Sequence, residues 1–278
     1  MKSIELPDGE RVPSLGLGTW HMGERADGRS REVAAVRAGI DAGLTLVDTA
    51  EMYGDGGAER IVGEAMAERR REDLFLVSKV FPHNASRAGV RTACLGSLER
   101  LGTDRLDLYL LHWRGGADLA EAVAGFEDLQ REGLIRHWGV SNFDEADLTD
   151  LWAVPGGARC AANQLLYHLG QRAIERDPLP WMRARGVPAM AYCPLGQGRL
   201  LDEPALRDIA ARNGMTPAQT ALAWLQSRDD VIAIPKTGTA ERQAENRAAA
   251  EVTLDREQLA ELDACFPAPT GRRPLPVV

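Results

Sequence analysis

The chain has 278 residues, 44% of them hydrophobic and 27% charged, a composition that can bury a sizeable core and belongs to neither a disordered nor a fibrous protein. Lysine and arginine number 33 against 41 acidic residues, a formal charge of −8. That balance argues against nucleic acid or an anionic membrane surface as a partner.

The opening Met1-Lys2-Ser3-Ile4-Glu5 lacks the apolar segment of a secretory signal, so a cytoplasmic location is expected. Ile4 to Leu6 and Arg11-Val12 then flank the turn signal Asp8-Gly9, and residues 1–13 read as a β-hairpin able to plug the bottom of a barrel. Beyond it, short apolar runs alternate with longer amphipathic ones. Strands are predicted at 15–20, 44–49, 74–80, 106–113, 135–141, 160–167, 187–192 and 231–235. Helices are predicted near 31–42, 58–70, 86–101, 118–132, 144–152, 174–185, 203–227 and 240–250. Thr216-Pro217 reads as an N-cap followed by a first-turn proline, which doubles the seventh helical stretch and places an extra helix before the eighth strand. Pro155-Gly156-Gly157 is a single loop, and 267–278 is a proline-rich tail. Eight strand-helix units without a linker predict an α/β protein, a single (β/α)8 TIM barrel spanning 1–278 as one domain.

Other classes lack their signatures. No uncharged stretch, including 214–227 with its Pro217, reaches the ~18 apolar residues of a membrane span. Cys94, Cys160, Cys193 and Cys265 are scattered, form no C-x-x-C pair, and read as buried thiols rather than a disulfide frame or a metal site. A doubly wound dinucleotide fold would need G-x-G-x-x-G. It is absent, because Gly16-Leu17-Gly18 is followed three positions on by His21, Gly54-Asp55-Gly56 by Glu59, and Gly196-Gln197-Gly198 by Leu201.

In a barrel of this kind, side chains that do chemistry stand at the C-terminal ends of the strands. The second predicted strand runs into Asp48 and Tyr53, the third ends at Lys79, and the fourth ends at His112-Trp113. A carboxylate, a phenol, an ammonium and an imidazole thus meet at one mouth. Taken singly, each has an ordinary explanation: the Asp as a helix cap, the Lys as a snorkelling side chain, the His as a hydrogen-bonded core residue. Their agreement in position favours a site.

With these residues the chain resembles the aldo-keto reductase family over nearly its whole length. The resemblance rests on Gly18-Thr19-Trp20, Asp48-Thr49-Ala50 with Tyr53-Gly54, Val77-Ser78-Lys79 and Asp107 to Trp113. It continues through Gly139-Val140-Ser141-Asn142-Phe143, Asn163-Gln164, Ala191 to Gly196 and Ile234-Pro235-Lys236. The stretches Asp48 to Tyr53 and Leu166 to Gly170 look closest to bacterial members regarded as methylglyoxal or small-aldehyde reductases. The resemblance implies a catalytic tetrad of Asp48, Tyr53, Lys79 and His112. Carbonyl reduction needs a proton at oxygen, and a phenol of pKa about 10 holds one at neutral pH. Lys79 would ease its release, Asp48 would keep Lys79 charged, and His112 would align the carbonyl. The protonation state of His112 stays open at this stage.

The same resemblance implies NADPH/NADP+ as cofactor, since no side chain supplies a hydride. Gly18, Thr19 and Asp48 would border it, Ser141, Asn142 and Gln164 would bond its carboxamide, and Tyr192 would stack on its ring. Cys193, Pro194, Leu195, Gly196 and Ile234 would follow its centre. Lys236, Thr237, Thr239 and Arg242 would hold the adenosine 2′-phosphate, and Glu245 and Asn246 would face the adenine. Two plainer alternatives stand beside these: Ser141-Asn142 as a helix cap, and Lys236 to Arg242 as a solvated basic turn. Cys193 and the Gln197 region depart from the family's usual serines. A small carbonyl substrate would meet Trp20, His21, Met22, Phe81, His112 and Trp113, with the tail either covering the pocket or frayed. A monomer is expected. The alternatives are a nucleotide-binding regulatory module with little turnover, and a barrel hydrolase or isomerase using Asp48 and His112.

Overall fold

The computed structural model describes residues 1–278. Strands β1 (Ser3–Glu5) and β2 (Arg11–Pro13) pair antiparallel, with Ile4 opposite Val12. The barrel follows, from β3 (Leu17–Gly18), β4 (Leu46–Asp48), β5 (Phe75–Val80), β6 (Leu106–Leu111), β7 (Ile135–Ser141), β8 (Asn163–Leu166), β9 (Ala189–Tyr192) and β10 (Val231–Ala233). All eight run parallel in sequence order. Bridges from Leu15 to Ala233 and from Gly18 to Lys236 join the first strand to the last and close the ring.

Closure explains why β3 is so short and carries glycines. A Cβ at Gly16 would stand 2.5 Å from a Leu46 methyl and 2.6 Å from the Leu46 carbonyl oxygen, and one at Gly18 would stand 2.9 Å from the Ile234 carbonyl. Only a residue without a side chain lets these strands approach. The floor is sealed by the hairpin, because Ile4, Leu6 and Val12 join Leu46, Phe75, Val77, Leu108, Leu110, Met190 and Ile232 in one interior cluster. The larger core lies between the strands and the helices outside them.

The outer layer comprises α1 (Arg29–Asp41), α2 (Gly57–Met66), α3 (Arg87–Leu101), α4 (Leu119–Arg131), α5 (Glu145–Ala153), α6 (Leu179–Arg183), α7 (Pro204–Arg212), α8 (Pro217–Gln226), α9 (Ala240–Ala248) and α10 (Arg256–Cys265). The doubled seventh unit is present as α7 and α8, with Thr216 as N-cap in a capping box with Gln219. The helix expected over 174–185 is reduced to a 3-10 turn and the five residues of α6. Pro178 and Pro180 lack the amide hydrogens that a longer helix would need. The terminal helix α10 was not anticipated. No helix is long and apolar enough to cross a membrane.

Candidate active site

The period-2 alternation of the strands decides what faces the barrel axis. Leu46, Val77, Leu110, Ala162, Met190 and Ile234 fill the interior. The residue two places further on in each case is Asp48, Lys79, His112, Gln164, Tyr192 and Lys236, so the polar set lines the C-terminal mouth above an apolar plug.

Lys79 has no solvent exposure, a costly position for an ammonium unless every proton is bonded. Its Nζ donates to Asp48 Oδ2 at 2.8 Å, to the Thr49 carbonyl at 2.8 Å and to the Tyr53 hydroxyl oxygen at 3.1 Å, the full capacity of the group. The second Asp48 oxygen accepts from Gln164 Nε2 at 2.7 Å. The Tyr53 ring meets His112 edge-on with centroids 5.7 Å apart. The four expected tetrad residues are therefore contiguous.

Burial sets their protonation. Desolvation lowers the Lys79 pKa, and the charges of Asp48 and Glu59 oppose that drop. The same desolvation raises Asp48, against the pull of Lys79 and Gln164. Tyr53 is held well above a free phenol, first by burial and then by the Asp48 charge, so it keeps its proton. His112 is pushed down to about 2 by burial and by Lys79, which favours the neutral imidazole at physiological pH.

Around the tetrad, Ser141 Oγ donates to the Gln164 carbonyl at 2.9 Å and Asn142 Nδ2 donates to the His112 carbonyl at 3.2 Å. The Tyr192 hydroxyl donates to Asn142 Oδ1 at 2.9 Å. Neither Ser141 nor Asn142 caps a helix, since Asp144 caps α5 and forms a capping box with Asp147. Asn142 instead adopts φ 57°, and the other left-handed non-glycine residues, His21, Asp55, Cys193 and Gln197, also lie in loops at this mouth. Strain of this kind gathers where geometry is dictated by function. Cys193 is half-buried, and burial raises its thiol to about 11. Thr19 Oγ1 donates to the Asp48 carbonyl at 2.9 Å.

At the barrel edge, Lys236 and Arg242 are exposed and neither has an acidic partner. Thr239 caps α9 by accepting the Arg242 amide, and Thr237 is buried beside it. Asn246 is buried and Glu245 half-exposed one turn on. Two free cations at a helix N-terminus form a site suited to a phosphate. A nicotinamide dinucleotide phosphate fits this donor set: an open aromatic ring with amide and hydroxyl groups at one end, and an unneutralised basic corner at the other.

Trp20 packs at the rim with the His21 ring stacked on it at 4.2 Å, and Phe81 meets Trp113 edge-on at 5.7 Å. Met22, expected in this wall, is fully buried in the main core. Its amide bonds back to the Thr19 carbonyl in a tight turn that takes it off the rim. Glu51 was not singled out from the sequence. Its Oε1 accepts the Phe81 amide at 2.7 Å and Asn84 Nδ2 at 3.2 Å, tying the Tyr53 loop to the aromatic wall. The tail is pinned rather than frayed: Arg172 donates to the Phe266 carbonyl at 2.7 Å, Arg176 to the Pro269 carbonyl at 2.8 Å, and Arg272 pairs with Glu145 and Asp177.

The aldo/keto reductase family model matches residues 14–266. The chain belongs to this family. It is 51% identical to methylglyoxal reductase YeaE of Escherichia coli, covering 100% of this chain and 99% of that one. It is 33% identical to E. coli methylglyoxal reductase DkgA, covering 93% and 91% respectively. Among solved structures, an aldo-keto reductase from Klebsiella pneumoniae in complex with NADPH superposes with a TM-score of 0.96 at 48% identity, covering 100% of this chain and 99% of that one. A second K. pneumoniae structure, with NADP and acetate, gives the same TM-score and identity. The family carries out NADP(H)-dependent oxidation and reduction, and this chain is an oxidoreductase of that class.

Proposed function

We propose that this chain reduces small aldehydes and ketones to alcohols, with 2-oxoaldehydes such as methylglyoxal as its preferred substrate class and Tyr53 as the proton donor. The observation that carries the reading is Lys79 Nζ on the Tyr53 oxygen, in a pocket where the phenol is protonated and its neighbour His112 is neutral. With the oxygen's lone pair engaged by the ammonium, the phenolic hydrogen is free to donate to a carbonyl oxygen. The ammonium also stabilises the negative charge left on the phenol as that proton moves, the kind of preorganised electrostatic help that lowers a barrier most. His112 polarises and aligns the carbonyl. Asp48, bonded on both oxygens, fixes Lys79.

NADPH, when bound, supplies the hydride. Ser141, Asn142 and Gln164 would hold its carboxamide and Tyr192 its ring, with Gly18, Thr19, Cys193, Pro194, Leu195, Gly196 and Ile234 along its length. Lys236, Thr237, Thr239 and Arg242 would take the 2′-phosphate, and Glu245 and Asn246 the adenine. Trp20, Phe81 and Trp113 would enclose a compact, uncharged substrate, and the pinned tail would screen it from water. Methylglyoxal is the substrate after which the two similar E. coli reductases are named.

The test follows the loss of reduced-nicotinamide absorbance with purified protein, NADPH or NADH, and a panel of aldehydes and ketones including methylglyoxal. Turnover with NADPH, fastest on 2-oxoaldehydes, is expected. Nucleotide binding without turnover on any carbonyl would overturn the reading and favour a regulatory module.

A further inference from the structure

Behind Lys79, on the outer face of the same strand, lies a second buried carboxylate. Glu59 of α2 has no solvent exposure. One of its oxygens accepts the Ser78 hydroxyl at 2.6 Å and the other accepts Arg100 Nε at 2.5 Å. Ser78 is the covalent neighbour of Lys79, and successive strand residues point to opposite faces, so Ser78 turns toward α2 while Lys79 turns into the barrel. The ion pair is thereby oriented. Its negative end rests on the strand that carries the ammonium, and its positive end, Arg100 on α3, reaches outward to 22% side-chain exposure.

Stability does not account for this arrangement. Replacing a buried ion pair by packed apolar side chains is often neutral or stabilising, because desolvation offsets the attraction. The same two helices already bury Ile61, Val62 and Leu98 in the apolar core.

Building on the reductase reading above, we propose that Glu59 is a positioning residue for the reaction: through Ser78 it fixes the end of β5 and supplies a second negative charge, beyond that of Asp48, that holds the Lys79 ammonium on Tyr53. The groups facing Lys79 are Asp48 from β4, Tyr53 from the loop after it, neutral His112 following β6, and Glu59 across the strand. Those facing Glu59 are Ser78, Arg100, the Cys94 thiol, which burial pushes up to about 12, and the Tyr109 phenol, raised by burial and so uncharged. Glu59 is thus the carboxylate bonded to this side of the strand, with Arg100 as its ion-pair partner and the charges of Glu51, Arg91 and Glu132 acting on the neighbouring phenol and thiol.

The experiment compares wild type, Glu59→Gln, Arg100→Gln and the double variant. It reads kcat/KM for methylglyoxal reduction against pH, NADPH affinity from tryptophan fluorescence, and thermal stability. Glu59→Gln keeps an acceptor for Ser78 but leaves Arg100 uncompensated. Its alkaline limb should move down by about one pH unit, with kcat at neutral pH reduced several-fold and NADPH affinity unchanged. Arg100→Gln, which leaves Glu59 its bond to Ser78, should move the limb the opposite way, and the double variant should return toward wild type. Limbs that coincide across all four proteins, with only the melting temperature altered, would overturn the proposal. Should Glu59→Gln not fold, an unmoved limb in Arg100→Gln would overturn it equally. Absence of turnover in the wild type would instead remove the reductase reading, and this proposal with it.

Discussion

Lys79 Nζ lies 3.1 Å from the Tyr53 hydroxyl, and Lys79 is shut off from bulk water entirely while Tyr53 keeps 9% of its surface. An ammonium in such a place is tolerable only with all its protons bonded, so the phenol serves the lysine as an acceptor while the lysine serves the phenol as a charge. Tyr53→Phe leaves Lys79 bonded to Asp48 and Thr49 but with one proton unpartnered, so the variant should fold with about 1 to 3 kcal/mol less stability. We expect kcat to fall about 10² to 10⁴-fold, the range for a positioned general acid, with NADPH affinity unchanged. Steady-state kinetics and fluorescence titration check this, and a kcat within threefold of wild type would remove Tyr53 as proton donor.

Neutral His112 has a consequence for stability in acid. Its folded pKa of about 2 lies below the ~6.5 of an unfolded histidine, so between these values the unfolded chain binds more protons than the folded one. Stability therefore falls as the pH drops below ~6.5, by about 2 kcal/mol at pH 5 from this residue. His168, pushed down to about 4 by burial and Arg199, acts in the same direction. Urea unfolding at pH 7 and at pH 5 should show His112→Gln losing less stability on acidification than wild type. Equal losses would mean that the folded imidazole takes up a proton over this range.

The barrel was legible because parallel strands buried on both faces are written as short apolar runs, and because Thr216-Pro217 and Asp8-Gly9 are local signals that no distant contact has to supply. The polar mouth was legible for a related reason, since Asp48, Lys79 and His112 each interrupt an apolar run at its end. What failed depended on contacts between segments. Met22 sits beside true rim residues, and only the turn closed by its bond to Thr19 carries it into the core. Glu51 and Glu59 have no partners nearby in sequence, so their bonds to Phe81, Ser78 and Arg100 were invisible. Helix α10 did carry a signal, the Asp255 cap with Gln258 three residues on, ahead of Leu259 and Leu262.

The basic corner should discriminate between nucleotides. Lys236 and Arg242 have no acidic partner, so a 2′-phosphate would gain charge-assisted bonds without breaking an existing pair. Arg242→Ala should raise KM for NADPH about ten- to a hundredfold, the equivalent of about 1.5 to 3 kcal/mol for a hydrogen bond to a charged group, and leave KM for NADH nearly unchanged. Parallel rises for both nucleotides would place the phosphate elsewhere.

Cys193 stands where the family usually has serine, and its thiol, raised to about 11, remains protonated near neutral pH. Iodoacetamide at pH 7.5 should label exposed Cys265 well before Cys193, because the thiolate is the nucleophile. Mass spectrometry of the peptides decides, and first modification at Cys193 would contradict the burial that raises it.

Asn142 combines a strained backbone with a side chain that links His112 to Tyr192, and two substitutions separate these contributions. At φ 57° asparagine is tolerated, glycine is unstrained, and alanine costs about 1 to 2 kcal/mol. Asn142→Gly and Asn142→Ala both remove the acceptor for the Tyr192 hydroxyl and the donor to the His112 carbonyl. Both should therefore weaken NADPH binding by a similar factor, about tenfold for the lost hydrogen bonding, while only the alanine variant also loses the strain energy in denaturant unfolding. If the glycine variant bound NADPH as tightly as wild type, the Asn142 side chain would not be what holds Tyr192 in place, and the left-handed turn itself would be the element that shapes this side of the mouth.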